Sequence, residues 1–188
     1  RIGKYSANRG TVMHQMIEYF LLSKESTKSK RLKEAQIKIL EFSKKEGFTD
    51  AEIEEGRSLF YKLYNNGTFN KIKELIALEE MLYCTIAGGY AGRVDAIYRR
   101  HDSGIIITDF KSSNKPKKLE WITKYYLQAC AYLVAYWQMT GEKPVDCEIW
   151  ISNVIDDEPQ IFSIGAEQIK KSSHEFLSLV KRYHKIYS

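Results

Sequence analysis

The chain has few cysteines, and they form no metal-binding or disulfide pattern. Its 188 residues include 3 cysteines, Cys84, Cys130 and Cys147. They are odd in number, widely spaced and embedded in apolar runs, whereas zinc sites and disulfide frameworks need closely spaced or paired cysteines. We therefore expect reduced core cysteines in an intracellular protein.

Long apolar runs, repeats and phosphate-binding loops are also missing. No segment approaches the ~18 uninterrupted apolar residues of a membrane-spanning helix, so we expect no membrane partner. No Gly-x-x-x-x-Gly-Lys motif occurs, so we expect no nucleotide cofactor. There is no internal repeat or low-complexity linker, and 44% of the residues are hydrophobic. Residues 1–188 are therefore expected to form a single domain.

The spacing of apolar and turn residues predicts both helices and strands. The predicted helices cover residues 10–23, 29–46, 49–65, 119–139 and 166–186, and Thr11 is the expected N-cap of the first. The predicted strands cover 74–86, 90–100, 104–112, 145–154 and 160–164, with a turn at 101–104. A helical part of about residues 1–70 therefore precedes an αβ core of about residues 71–188.

The second and third predicted strands carry the most informative residues. Asp95 lies in the middle of the second strand, and the third strand contains Asp109 and, two residues on, Lys111. Side chains alternate along a strand, so Asp109 and Lys111 project from the same face. Carboxylates bind Mg²⁺, and an ammonium group can activate water or stabilise charge in a transition state. The pattern predicts a divalent-metal phosphodiesterase site.

A solvated surface pair is the alternative explanation of Asp109 and Lys111. The Asp-x-Lys pattern is common by chance, and an exposed pair contributes well under about 1 kcal/mol. The continuous run Ile105, Ile106 and Ile107 is typical of a strand buried on both faces, however. This context favours the site.

Two predicted helices contain further polar candidates. His14 and Glu18 lie one turn apart and off the apolar stripe of the first helix. A single helical histidine is more often a surface or core residue than a ligand, so His14 is not persuasive alone. Gln128 and Tyr132 are an i, i+4 pair on one face of the helix at 119–139.

Taken in order, these segments resemble the PD-(D/E)xK nuclease superfamily, specifically its RecB-like branch. The matching motifs are Gly-Thr-x-x-His at 10–14, an acidic residue, Gly-Arg-Val-Asp at 92–95, Thr-Asp-Phe-Lys-Ser-Ser at 108–113 and Gln-x-x-x-Tyr at 128–132. The residues of these motifs are most similar to those of stand-alone exonucleases of the mitochondrial genome maintenance exonuclease and phage exonuclease type. Each motif is weak alone, but the ordered set spans more than half of the chain.

The resemblance implies an α/β fold with a restriction-endonuclease-like core, in which helices flank a central mixed β-sheet and a helical region comes first. It also implies that Mg²⁺ or Mn²⁺ is held by His14, Asp95, Asp109 and the backbone carbonyl of Phe110. Lys111 would be the catalytic lysine.

The resemblance further implies that Gln128 and Tyr132 support the active site and contact the DNA strand. The family's additional acid is either Glu79 or Glu80. Adjacent strand residues face opposite ways, so only one of the two can face the site. The Glu-x-x-Leu spacing favours Glu79, which joins Asp95, Asp109, Lys111, Gln128 and Tyr132 in the expected catalytic set.

The net charge is +5, a modest excess that suits a polyanionic partner. Lysines directly after the Asp109–Lys111 strand are expected to track phosphates, and tyrosines in the next helix can stack on unpaired bases. The expected DNA contacts are Lys115, Lys117, Lys118, Tyr125, Gln128 and Tyr132.

The expected activity is that of a metal-dependent exonuclease that hydrolyses DNA from strand ends, prefers single strands and acts in replication, repair or recombination. The alternatives are a restriction or repair endonuclease of the same superfamily and a catalytically inactive nucleic-acid-binding module. The sequence leaves open the cleavage polarity, the choice between DNA and RNA, the protein partners and the oligomeric state. It also leaves open the compartment, which could be the cytoplasm of a bacterium or phage-infected cell, or the mitochondrion. Arg1 is not an initiator methionine, so we expect residues upstream of it.

Overall fold

The structure is a computed structural model that describes residues 2–102 and 104–187. The helices are α1 (Ile2–Leu22), α2 (Lys28–Glu46), α3 (Asp50–Asn65), α4 (Thr123–Thr140) and α5 (Ala166–Tyr187). The strands are β1 (Ile72–Cys84), β2 (Tyr90–Arg100), β3 (Ile105–Ser113), β4 (Asp146–Asn153) and β5 (Gln160–Ser163). Short 3₁₀ turns cover Thr68–Lys71, Ile86–Gly88 and Leu119–Trp121. Ser103, in the predicted turn at 101–104, lies outside the described residues.

The first helix is longer than the sequence predicts. It begins at Ile2, and Thr11, the predicted N-cap, lies inside it and donates its hydroxyl to the Ala7 carbonyl at 3.1 Å. The prediction for Thr11 is wrong because the polar residues before it are held by another helix. The Asn8 amide, for example, donates to the Glu52 carboxylate on α3 at 2.9 Å. The other predicted elements agree closely with the structure.

The strands form one mixed sheet in the order β1-β2-β3-β4-β5. β1 and β2 pair antiparallel, as do β2 and β3. β4 runs parallel to β3, because Val145 N–H donates to the Ile105 carbonyl (2.9 Å) and Val154 N–H donates to the Ser113 carbonyl (3.1 Å). Parallel neighbours need a long crossover connection, and α4 supplies it. The expected α/β class with a mixed sheet is confirmed, and it is consistent with a restriction-endonuclease-like core.

Contacts within the chain divide it into two compact units. The first unit comprises Arg1–Phe69, Lys111–Pro116 and Ile151–Gln160, and the second comprises Asn70–Phe110, Lys117–Trp150 and Ile161–Ser188. Strands β3, β4 and β5 each contribute residues to both units. The expectation of a single domain over residues 1–188 stays a prediction.

The core of the first unit lies between α1 and α3. The Phe20 ring packs edge-on against Phe60, with 5.8 Å between ring centroids. Gly56 lets the two helices approach closely, since a Cβ there would lie 2.5 Å from the Cβ of Val12. Thr49 and Glu52 form a reciprocal capping box that fixes the start of α3.

The core of the second unit is formed by the sheet together with α4 and α5. Residues 105–110 of β3 and residues 146–150 of β4 are buried in this core, and the run Ile105–Ile107 is the continuous apolar part of β3. Phe110 packs on Trp150 with 5.4 Å between ring centroids. In α4, Tyr126 and every residue from 129 to 136 are buried, so this part of the helix is covered on all sides. Within residues 2–102 and 104–187, no helix has the length and apolar character that a membrane crossing requires.

Candidate active site

Two carboxylates of the second unit meet on neighbouring strands. Leu78 pairs with Ala96 and Glu80 pairs with Val94, so the intervening Glu79 and Asp95 lie at the same level of the β1–β2 ladder. Carboxylate oxygens of Glu79 and Asp95 lie within 4.8 Å of one another. Two like charges this close favour a bound cation.

The backbone at Glu79 is unusual for a strand. Its φ is +51°, in the left-handed region that costs a non-glycine residue about 1–2 kcal/mol. Such a local distortion changes the direction of a strand side chain. The side chain is half-buried, and its carboxylate also lies 3.0 Å from the Arg93 guanidinium. Glu80 is exposed, so Glu79 is the acid of the two that lies beside Asp95, and its role as the site acid stays a prediction.

The Asp95 carboxylate is oriented by the main chain of β3. Its Oδ2 accepts a hydrogen bond of 2.6 Å from the Phe110 N–H. In a strand the N–H and C=O of one residue point to the same side, as their exchange in antiparallel pairs requires. By this rule the Phe110 carbonyl points to the β2 side of β3, and its role as a metal ligand stays a prediction.

Asp109 and Lys111 lie two residues apart on β3, with the alternation that puts both on one face of the strand. The Asp109 side chain is only 1% exposed, and Lys111 is half-buried. A buried carboxylate is costly unless cations or donors compensate for the lost water. The location of Asp109 is therefore one that a metal ion would stabilise.

The Gln-x-x-x-Tyr pair lies on α4 against β2. Gln128 Nε2 donates to Tyr132 Oη at 3.0 Å. A Cβ at Gly92 would lie 2.8 Å from Cε1 of Tyr132, so only glycine at that position admits the ring. This close approach explains the glycine of the Gly-Arg-Val-Asp motif. It also places the Gln128–Tyr132 pair beside the strand that carries Asp95.

His14 belongs to the first unit, where it is half-buried on α1. One turn earlier, Gly10 approaches the end of β3, because a Cβ there would lie 2.7 Å from the Ser112 hydroxyl. The neighbouring Arg9 is 4% exposed and binds Glu55 at 3.0 Å and the Asn114 side-chain oxygen. Within the first unit, the helix that carries the Gly-Thr-x-x-His motif therefore contacts Ser112 and Asn114, which follow Lys111 in the chain.

Of the six residues expected to contact DNA, Tyr132 is buried, and the other five are at least partly exposed. Lys115 of the first unit and Lys118 of the second are exposed, whereas Lys117 and Tyr125 are half-buried. The sequence-based site set omits Trp121, which is 56% exposed and whose ring centroid lies 5.2 Å from Lys118 Nζ. The spacing of three residues between Lys118 and Trp121 is the sequence signal that could have identified Trp121 as a candidate contact.

The donor set fits a hard divalent cation. Mg²⁺ binds oxygen ligands at about 2.0–2.1 Å, so two carboxylate oxygens at the separation found for Glu79 and Asp95 can share one ion after a small side-chain adjustment. A third carboxylate, that of Asp109, lies one strand further along the sheet.

Comparison with known proteins gives a match to a family model and matches to solved structures. A family model described as the PD-(D/E)XK nuclease superfamily matches residues 3–183. No curated protein matches the chain. A solved structure described as "Crystal structure of SSO0001" is 18% identical and covers 90% of this chain and 74% of its own, with a TM-score of 0.41. That structural agreement is too low to carry an argument.

Proposed function

The chain belongs to the PD-(D/E)XK nuclease superfamily, and we propose that it is a divalent-metal-dependent DNA exonuclease that cuts from strand ends and prefers single strands. Nucleases of this superfamily use divalent metals and act on nucleic acid. The observation that carries the proposal is the pair of adjacent carboxylates from Glu79 and Asp95, of which Asp95 is oriented by the Phe110 N–H. We place the activity in DNA replication, repair or recombination.

The proposed metal ligands are His14, Asp95, Asp109 and the Phe110 carbonyl. Oxygen ligands supplemented by one imidazole suit Mg²⁺ or Mn²⁺. When bound, the ion supplies Lewis-acid polarisation of the scissile phosphate. The burial of Asp109 and the hydrogen bond to Asp95 restrict the movement of both side chains. Ligands held in this way need little rearrangement during the reaction.

Lys111 is the proposed catalytic lysine. Its ammonium group orients the attacking water and neutralises negative charge that develops on the phosphate. Glu79 completes the acidic side of the site. The hydrogen bond between Gln128 and Tyr132 holds both side chains in one arrangement, which supports a role in positioning the DNA strand beside Asp95.

Preference for single strands is proposed from the aromatic and basic side chains around the start of α4. Trp121 and Tyr125 offer ring faces, and stacking of an unpaired base contributes about 1–3 kcal/mol. Lys115, Lys117 and Lys118 supply phosphate contacts that carry no sequence information. Cleavage should therefore tolerate any sequence and weaken as salt concentration rises.

The test compares end-labelled linear single strands, blunt duplex and covalently closed circular single strands, each with and without Mg²⁺. We expect metal-dependent digestion of the linear single strand, slower digestion of the duplex and an intact circle. A matched linear RNA shows which sugar is accepted, and the Lys111→Ala variant controls for contaminating nucleases.

Efficient cutting of the circle, or discrete sequence-dependent bands, would replace the proposal with the endonuclease alternative. Binding of the linear strand without cleavage at any Mg²⁺ or Mn²⁺ concentration would support the inactive binding module.

A further inference from the structure

An apolar groove lies in the second unit between the C-terminal half of α4 and the first half of α5. Its volume is about 850 Å³, within the range of pockets that bury a ligand. The apolar side chains lining it include Ile86, Leu133, Val134, Trp137, Ile169 and Leu177. Trp137 is 44% exposed and Ile86 is 42% exposed, so the apolar surface continues from the groove to the outside.

The charged side chains that line the groove have one sign. Among the described residues, the charged ones that line it are Lys143 and Lys170. Lys143 Nζ lies 5.0 Å from the centroid of the Trp137 ring, and Lys170 is exposed on α5. An occupant with carboxylates near its apolar part would be attracted to both ammonium groups, whereas a basic occupant would be repelled.

We propose that this groove binds an acidic peptide segment of a partner protein, with a large apolar side chain of that segment inserted beside Trp137. Exposed tryptophans next to apolar pockets are typical anchors of protein interfaces. Carboxylates on either side of the inserted residue would pair with Lys143 and Lys170. Exposed Val145 at the edge of the groove extends the apolar surface along the path of an extended chain.

Nucleic acid is a poorer fit to the same groove. Its phosphates would be attracted to the lysines, but its bases need exposed ring faces for stacking, and most of the lining is aliphatic. Leu133 of the lining follows Tyr132 directly, but the exposed end of the groove at Trp137 is displaced from Gln128. Trp137 lies roughly 13 Å along α4 from Gln128 at the usual rise per residue. A bound peptide would therefore tether the protein to a partner while leaving the catalytic residues accessible.

The test is fluorescence polarisation with labelled eight-residue peptides on the intact protein. The probe is Asp-Leu-Asp-Asp-Phe-Asp-Asp-Leu, and its two counterparts replace every Asp with Lys or every apolar residue with Ser. We expect the probe to bind at least about 10-fold more tightly than either counterpart, and more weakly as salt rises. The double variant Lys143→Glu/Lys170→Glu should lose about 10-fold in affinity.

Lys181→Glu is the matched control, because Lys181 is an exposed lysine of α5 that does not line the groove. It should bind the probe normally. A short single-stranded DNA substrate should be cleaved equally by all variants, which separates this proposal from the nuclease proposal. Equal binding of the three peptides, or an unchanged affinity in the double variant, would overturn it. So would tight binding of dodecanoate or of labelled single-stranded DNA at the groove with no binding of the probe.

Discussion

Two groups of acidic side chains in the second unit differ in their surroundings, one on β4 and the other on β1, β2 and β3. On β4, Glu148 is 4% exposed, and its Oε2 accepts hydrogen bonds from the Tyr98 hydroxyl at 2.9 Å and from Trp150 Nε1 at 2.7 Å. Lys71 Nζ lies 3.5 Å away. The fold itself supplies the donors that this buried carboxylate needs.

Asp146, also on β4, follows the same rule. Its Oδ1 accepts hydrogen bonds from the N–H groups of Cys147 at 2.8 Å and Gly165 at 2.9 Å, and its Oδ2 accepts one from the Ser163 hydroxyl. These donors connect the start of β4 to the end of β5. Asp146 and Glu148 are therefore buried acids whose role is to hold strands together.

The acids of β1 and β2 are arranged differently. Glu79 and Asp95 approach each other with like charge, and the backbone of Glu79 is strained. Burial and charge shared among neighbouring acids are typical of functional sites. Burial alone therefore does not identify a catalytic acid. Glu79 and Asp95 also have donors, the Arg93 guanidinium and the Phe110 N–H, so what distinguishes this pair is the second carboxylate close by.

The largest expected effect is on the candidate catalytic strand. Lys111→Ala and Asp109→Asn should each reduce cleavage by about 100-fold or more, because each removes a group that acts on charge in the transition state. Circular dichroism and DNA binding should be retained. Lys73→Ala, at an exposed position of β1, is the control. Near-normal turnover by Lys111→Ala would remove it from the catalytic set.

The next effect concerns His14. If His14 is a metal ligand, its removal weakens metal binding. His14→Ala should therefore raise the Mg²⁺ or Mn²⁺ concentration needed for half-maximal activity by about 10-fold or more. The midpoint is measured by metal titration at fixed DNA. An unchanged titration curve would mean that His14 is an ordinary helical surface residue.

Glu148→Gln should show the opposite pattern. Loss of the charged acceptor for Tyr98 and Trp150 should lower the free energy of unfolding by about 1–3 kcal/mol. Cleavage per folded molecule should stay unchanged. Urea unfolding and active-site-normalised turnover measure the two quantities separately. Lost turnover with unchanged stability would place Glu148 with the catalytic acids and end the distinction.

The smallest effect depends on pH. Burial, followed by the nearby Glu148 charge, raises the pKa of the Tyr98 phenol. The folded state therefore holds this proton more tightly than the unfolded chain, whose tyrosines ionise near pH 10. The contribution to stability is complete below about pH 10 and is lost as pH rises above it, by at most about 1.4 kcal/mol per pH unit. When the free energy of unfolding is measured with urea at several pH values above about 10, it should fall less steeply with pH for Tyr98→Phe than for wild type.

Local patterns predicted much of this molecule because they reflect local physics. The Ile105–Ile107 run identified a buried strand, and alternation put Asp109 and Lys111 on one face. The start of α1 was missed because Asn8 and Arg9 are held by residues of α3 distant in sequence. Neither the strained backbone of Glu79 nor the donors around Glu148 could be predicted, since both depend on partners from other strands.

The crossover between β3 and β4 has a consequence for the order of folding. β1, β2 and β3 are joined by short turns, so they can pair through local contacts, on the microsecond scale typical of hairpins. β4 can pair with β3 only after a loop of about 40 residues closes, which costs more chain entropy and slows the step. On a ribosome, the strands bearing Asp95 and Asp109 emerge and pair while β4 is still being made. We expect the acids of the candidate active site to come together early, and Glu148 to become buried later, when β4 pairs with β3.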